Sequence, residues 1–323
     1  MDTAAPRKGF DLVAYLKLFR FPLVFTAIAD SATGCLLGKN YHNTLSPIPL
    51  LMVSSAGLYF FGMALNDIAD RERDKQIAPG RVIPSGRITL RSAILAASIS
   101  LAVSFCAILA ITETPILQRV LLWGLVVASI VAYDKFIKLP PVMGLVRSFN
   151  LLLGVSAAVP LGYYVATIPW VFGVMALPAF VYVSALTYVS TLEDSEVDRV
   201  KVAMGAAFMI LGVLLAAAGA RVIADLTEFG PSGKGVLHGI ASEVKDNWFG
   251  IPFGAILAAW IIRRAVAARD KKGIMLMIRD GVAGIIFLDA ALLGSECGLV
   301  PALCVSALLI PAAVSVAIFK RLA

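Results

Sequence analysis

Charge is what this sequence has least of. Only 15% of its 323 residues are charged, against about 25% in a soluble domain, so the chain carries too little polarity to cover a water-soluble core. Histidine is nearly missing. His42 and His238 are the whole complement, both fall in loops between apolar runs, and neither is expected to act as a metal ligand or a base. Cysteine is scarce and unpatterned. Cys35, Cys106, Cys297 and Cys304 sit singly inside apolar runs, which gives no spacing for a metal site and no basis for a disulfide.

What is abundant is apolar length. The sequence is 59% hydrophobic with a mean hydropathy of +0.88. Ten apolar runs stand at 20–38, 47–65, 92–111, 116–133, 143–166, 169–190, 202–223, 249–268, 276–295 and 299–319, each near the ~20 residues that cross ~30 Å of hydrocarbon. The expectation is an all-α, polytopic transmembrane helical bundle of nine to ten spans. The weakest run is 276–295, because Arg279 and Asp280 lie near its start.

Lysine and arginine set the orientation. With a cytoplasmic N-terminus, only Lys39, Arg119, Arg221, Lys234 and Lys245 of the 28 basic residues fall outside, as the positive-inside rule requires. The net charge of +7 then reflects topology and lipid-headgroup contact, and calls for no nucleic acid. An integral, multi-pass protein results, in the plasma (inner) membrane if bacterial. Residues 1–19 form a basic segment in which Phe10, Leu12, Val13, Leu16 and Phe19 suit a short interfacial helix, although a plain leader to the first span reads equally well. Residues 20–323 form a single transmembrane domain.

Polar residues stand out against this background. Asp30 lies inside the first apolar run, where a carboxylate costs about 2.5–3.5 kcal/mol, so it is expected to face the bundle interior. Two roles are open for it, a place in a substrate pocket or a structural hydrogen bond. The second run ends in Asn66-Asp67-Ile68-Ala69-Asp70-Arg71-Glu72-Arg73-Asp74. If the chain stays helical, Asp67, Asp70 and Asp74 share one face, with Asn66 one step round. Such a stack repels itself unless a cation intervenes, and an oxygen-only set suits Mg²⁺ that completes its shell with water and substrate phosphate. The competing explanation is a charged loop capping a membrane helix. Behind the cluster, Pro79, Gly80, Pro84 and Gly86 break any helix and hang Arg81 and Arg87 over the carboxylates, where they can meet a phosphate.

Asn66-Asp67-x-x-Asp70-x-x-x-Asp74 followed by Arg81-x-x-Pro84-Ser85-Gly86 resembles the first signature of the UbiA superfamily of intramembrane prenyltransferases. Tyr133-Asp134-Lys135-Phe136-Ile137-Lys138 is similar to the family's tyrosine-to-lysine element, although four residues separate Tyr133 from Lys138 where the family usually has three between. Glu193-Asp194-Ser195-Glu196-Val197-Asp198 resembles the second Asp-rich motif. Arg147-x-x-Asn150-x-x-x-Gly154, Arg20-Phe21-Pro22 and the stretch from Phe25 to Asp30 are most similar to the EboC-like branch. Two departures are plain: the position seven residues before Asp194 is Thr187, where many members carry aspartate, and Val200-Lys201-Val202 lacks the usual glycine-and-lysine loop.

The resemblance implies Mg²⁺-dependent transfer of a prenyl group from an isoprenoid diphosphate to an aromatic or other lipophilic acceptor. It implies Asn66, Asp67, Asp70 and Asp74 for one half of the metal-diphosphate site, with Asp194 and Asp198 for the other. Arg81, Lys138 and Arg147 are assigned to phosphate oxygens, Tyr133 to the leaving group, and Asn150 and Asp30 to the substrate pocket. The rival expectation is a non-catalytic membrane carrier or accessory protein on the same fold, which Thr187 and the lengthened tyrosine-lysine element favour.

Overall fold

The computed structural model describes residues 11–42, 45–160, 169–193, 196–228 and 248–322, and among them every regular element is a helix. In chain order these are α1 (Leu12–Leu18), α2 (Val24–His42), α3 (Ile48–Ala69), α4 (Arg71–Ile77), α5 (Leu90–Ala110), α6 (Ile116–Lys135), α7 (Pro140–Ala158), α8 (Pro169–Thr191), α9 (Arg199–Glu228), α10 (Gly250–Ala267), α11 (Lys271–Glu296), α12 (Leu299–Ser306) and α13 (Leu309–Leu322). Local sequence starts several of them. Prolines stand in the first turns of α3 and α7, where the missing N–H costs nothing. The Thr89 and Asp270 side chains accept from the backbone amides of Ser92 and Gly273 and so cap α5 and α11.

Eight segments among the described residues are long and apolar enough to cross a membrane: Phe21–Gly38, Ile48–Ala69, Leu90–Ala110, Ile116–Lys135, Pro140–Ala158, Arg199–Ala218, Gly250–Ala267 and Leu299–Phe319. The apolar stretch Met175–Thr191 of α8 accompanies them. Helix α11 carries Lys271, Lys272, Arg279, Asp280, Asp289 and Glu296, more charge than a lipid-facing span would carry, yet from Gly284 to Glu296 nearly every residue is buried. A helix surrounded by protein has no need of lipid-compatible side chains. Helices α5 and α6 show the converse. Leu117, Leu121 and Leu125 are 66%, 59% and 45% exposed at four-residue spacing, the stripe a lipid-facing helix presents.

Two hydrophobic cores flank a shared wall made by α2 and α7. One gathers α1, α3, α5, α6 and the loop residues Val82 and Ile88; the other gathers α8 to α12. Ala14 and Leu18 of α1 are fully buried in the first core, so α1 packs on the bundle, and Asp11 accepts from the guanidinium of Arg87 at 2.8 Å. In the shared wall α2 and α7 touch backbone to backbone. A Cβ on Gly34 would stand 1.9 Å from the carbonyl oxygen of Leu151, and one on Gly154 would stand 2.1 Å from that of Ser31. Glycine is demanded at both positions by this approach.

Replacing Gly154 by valine therefore forces the two helices apart. The expected cost is about 1–3 kcal/mol, read as a lowered Tm of the detergent-solubilised protein; an unchanged Tm would show that the contact is not tight. A reporter fused after Ala323 is expected to stay cytoplasmic, and one in the segment after α9, at Ser232, to be exported.

Candidate functional site

A cavity of about 320 Å³ opens between α2, α3, α6 and α7 beneath the loop that follows α4. Leu58, Met63, Val126, Ile130, Met143 and Val146 make its apolar wall. Arg20, Asn66, Arg81, Tyr133 and Asp134 ring one end, while Ser55, Tyr59, Arg147 and Asn150 stand deeper.

The acidic cluster sits at the ringed end. Helix α3 stops at Ala69 and α4 begins at Arg71, with Asp70 between them: its amide donates to the Asn66 carbonyl at 2.9 Å and its carbonyl accepts from the Asp74 amide at 2.8 Å. Asp67 and Asp74 both face Arg81, whose Nη1 lies 3.7 Å from Asp67 Oδ1 and 2.7 Å from Asp74 Oδ2. Asp67 also meets Arg20 Nη2 at 3.3 Å, and Lys138 Nζ donates to Asp70 Oδ2 at 2.7 Å. Lys138 reaches Asp70 despite the lengthened spacing because the chain turns back after α6, with the Phe136 and Ile137 amides both donating to the Ala132 carbonyl.

Arg20 is held in an uncommon conformation, with φ of +43°. A non-glycine residue pays for the left-handed region, and such strain gathers at functional sites. The Tyr59 hydroxyl donates to its carbonyl at 3.3 Å, and its guanidinium lies 3.4 Å from Asn66 Oδ1. The other end of the Asn66 amide donates to Asp134 Oδ1 at 2.9 Å. Asn66 is thus held between Arg20, on its oxygen, and Asp134, on its nitrogen.

Deeper in, Arg147 Nη1 donates to Asp30 Oδ2 at 2.7 Å and Nη2 to Thr26 Oγ1 at 2.7 Å. Asn150 Nδ2 donates to the Ala27 carbonyl at 2.8 Å and reaches Asp30 Oδ2 at 3.3 Å. The Ser55 hydroxyl lies 2.9 Å from Asn150 Oδ1. Asp30 is fully buried, one side chain behind the cavity wall.

A family model for the UbiA prenyltransferase family matches residues 24–273. The chain belongs to that family. Among relatives, the digeranylgeranylglyceryl phosphate synthase of Methanococcus maripaludis is 33% identical over 120 residues, 34% of this chain. The match spans 42% of that relative's length. Among solved structures, a digeranylgeranylglyceryl phosphate synthase superposes with a TM-score of 0.56 at 17% identity, covering 88% of this chain and 97% of the other. A UbiA homologue from Archaeoglobus fulgidus, bound to GPP and Mg²⁺, gives 0.54 at 16% identity, covering 86% and 99%. These superpositions establish the UbiA fold.

On this UbiA frame the first acidic motif, Arg81, Tyr133, Lys138, Arg147 and Asn150 converge on one cavity and its rim, and Asp30 stands behind it. Asp198 is placed otherwise. It does not line the cavity; its Oδ1 accepts from the Lys201 amide at 3.3 Å and the Val200 amide at 2.9 Å, which makes it the N-cap of α9. The Lys201 bond foremost, with the Val200 bond behind it, holds its carboxyl below the ordinary value. Asp194 lies outside the described residues. Thr187 is buried and donates to the Val183 carbonyl of its own helix at 2.8 Å.

Among the described residues no three acidic, histidine or cysteine side chains form a metal cage by themselves. The donor set still fits Mg²⁺. Asn66, Asp67, Asp70 and Asp74 supply hard oxygen, and their partners Arg20, Arg81 and Lys138 are cations free to turn to phosphate, the arrangement of an ion bound together with a diphosphate. Sequence reasoning passed over Arg20, Ser55, Tyr59 and Asp134 as members of the site. Arg20 carried a signal in its place before Phe21-Pro22, and Asp134 in being an acid in the last turn of an apolar helix.

The Arg81 pairs can be tested directly. Arg81→Ala and Asp74→Asn, combined in a double-mutant cycle, are expected to couple by about 1 kcal/mol in thermal stability, the scale of a half-exposed pair. Additive effects would remove the pair from the account.

Proposed function

We propose that this protein transfers a prenyl group from an isoprenoid diphosphate to a lipophilic acceptor in a Mg²⁺-dependent reaction. The observation that carries this reading is the set of cations, Arg20, Arg81 and Lys138, paired with motif carboxylates around one end of a cavity whose remaining wall is largely apolar. A chain that binds a diphosphate on a greasy tail needs both halves. Support comes also from membership of the family and from the GPP and Mg²⁺ bound by the Archaeoglobus fulgidus homologue.

Mg²⁺, when bound, neutralises the departing diphosphate. Asn66, Asp67, Asp70 and Asp74 would hold the ion, and Asp194 and Asp198 would serve the second half-site. Arg20, Arg81 and Lys138 exchange their carboxylate partners for phosphate oxygens, with Arg147 doing so from deeper in the cavity. Tyr133 orients the leaving group. Leu58, Val126, Ile130 and Val146 exclude water from the allylic carbon, and Tyr59 and Tyr133 present ring faces that favour developing positive charge. Acceptors range from aromatic compounds to lipids. The relatives' names, digeranylgeranylglyceryl phosphate synthase, favour a lipid with a phosphate headgroup.

A second reading, a non-catalytic carrier of an isoprenoid, has one observation in its favour. Thr187 spends its hydroxyl on its own helix, where a carboxylate would stand free to act on an acceptor.

Membranes containing the full-length protein are expected to release diphosphate from a radiolabelled prenyl donor when an acceptor is supplied, and to stop when Mg²⁺ is chelated. Asp70→Asn and Asp194→Asn should each lower the rate by at least about a hundredfold, or about 2.7 kcal/mol, while leaving membrane insertion intact. Mg²⁺-dependent donor binding without release under any acceptor would decide for the carrier. Full activity in either variant would remove that half-site from the mechanism.

A further inference from the structure

Two buried acids meet between α2 and α11. Asp30 on α2 has no exposed surface and Asp289 on α11 has 1%, and their carboxyl groups lie within hydrogen-bonding reach of each other. Asp30 Oδ2 takes the hydrogen bonds from Arg147 and Asn150. Asp30 Oδ1 and Asp289 Oδ2 receive none from any N–H or O–H group. A buried polar atom left in this state costs heavily, and two ionised carboxylates in contact repel, so such pairs hold one proton between them. Arg147 balances one negative charge; a single shared proton removes the other and gives the orphaned oxygens a donor. The cluster is then electrically neutral, which burial at this depth demands.

The arrangement has a direction. Arg147 stands in the cavity wall with its side chain 11% exposed, and its two terminal nitrogens are taken up by Asp30 and Thr26. Asp30 Oδ2 is taken by Arg147 and Asn150, which leaves Oδ1 as the oxygen without a donor. We propose that Asp289 is a positioning residue of the site: sharing one proton with Asp30, it fixes the Arg147 guanidinium in the wall of the cavity. A helix with no side chain in the cavity wall is thereby coupled to substrate binding. The kinetic part of the proposal rests on the reading of Arg147 as a ligand of the donor's phosphate oxygens.

The test uses the full-length protein in lipid nanodiscs. The infrared difference between wild type and Asp289→Asn at neutral pH is expected to show the carbonyl stretch of a protonated carboxyl group lost in the variant; no such difference overturns the shared proton. In kinetics with a prenyl diphosphate, Asp289→Asn, which still offers Asp30 a hydrogen, should keep the donor KM within about threefold, whereas Asp289→Leu should raise it about tenfold with little change in kcat. Asp289→Leu should add nothing in an Arg147→Ala background. An unchanged donor KM in Asp289→Leu, or additive effects in the double variant, overturns the positioning role. Should Asp289→Leu fail to assemble, Asp289→Ser, too short to reach Asp30, replaces it with the same expectation. A wild type that neither binds nor consumes the donor defeats the transferase reading, and the infrared band then decides the shared proton by itself.

Discussion

The contact on which the rest of the structure depends is the touching of two backbones, α2 and α7, at Gly34 and Gly154. It holds together the wall between the two hydrophobic cores, and it sets the register at which Thr26, Ala27 and Asp30 meet Arg147 and Asn150. Between helices in a membrane the hydrophobic effect gives little reason to associate, so shape and polar contacts decide. Both operate here at once. Without the close approach of the glycines, the guanidinium and the carboxylate could not reach across at 2.7 Å.

At the acidic end the same chemistry is arranged with a looser hand. Arg20, Arg81 and Lys138 are each about two-fifths exposed, and pairs of that kind contribute about 0–1 kcal/mol. That weakness suits a site in which the cations must leave their carboxylates for a phosphate and the carboxylates must turn to an ion. The deep pair between Arg147 and Asp30 is different in kind, being nearly closed to solvent, and belongs to the frame as much as to the site. The strained backbone at Arg20 lies at the boundary of the two regimes, where the chain enters α2 and overlooks the cluster.

Helix α11 shows why hydropathy is a partial guide in a bundle of this size. Its six charged residues would be costly against lipid, but Asp280 is held by Arg264 and Arg279, Asp289 by Asp30, and the small residues Gly281 and Gly284 let it nest against Tyr182 and Leu186 of α8. The Tyr182 hydroxyl donates to the Gly281 carbonyl at 2.8 Å. The buried acids Asp280, Asp289 and Glu296 are compatible with their place because the other helices, and not lipid, surround them.

By itself the sequence determined the class of protein, the helical bundle and the place of the first acidic motif, because hydrophobic length and three-and-four spacing are local properties that need no knowledge of the fold. The apolar runs, the Asn66 to Asp74 stripe and the helix-breaking loop carrying Arg81 were legible on those grounds, and family resemblance singled out Tyr133, Lys138, Arg147 and Asn150. Asp30 announced its burial through the cost of a carboxylate in hydrocarbon. Tertiary structure alone decided the partners. That Lys138 reaches Asp70 depends on a turn after α6; that Asp134 orients Asn66 depends on the crossing of α3 and α6; that Asp289 lies against Asp30 joins residues from the first and the penultimate long helical segments. Pairings of this kind are set by how helices cross, and side-chain spacing within one helix holds no record of which other helix it will face.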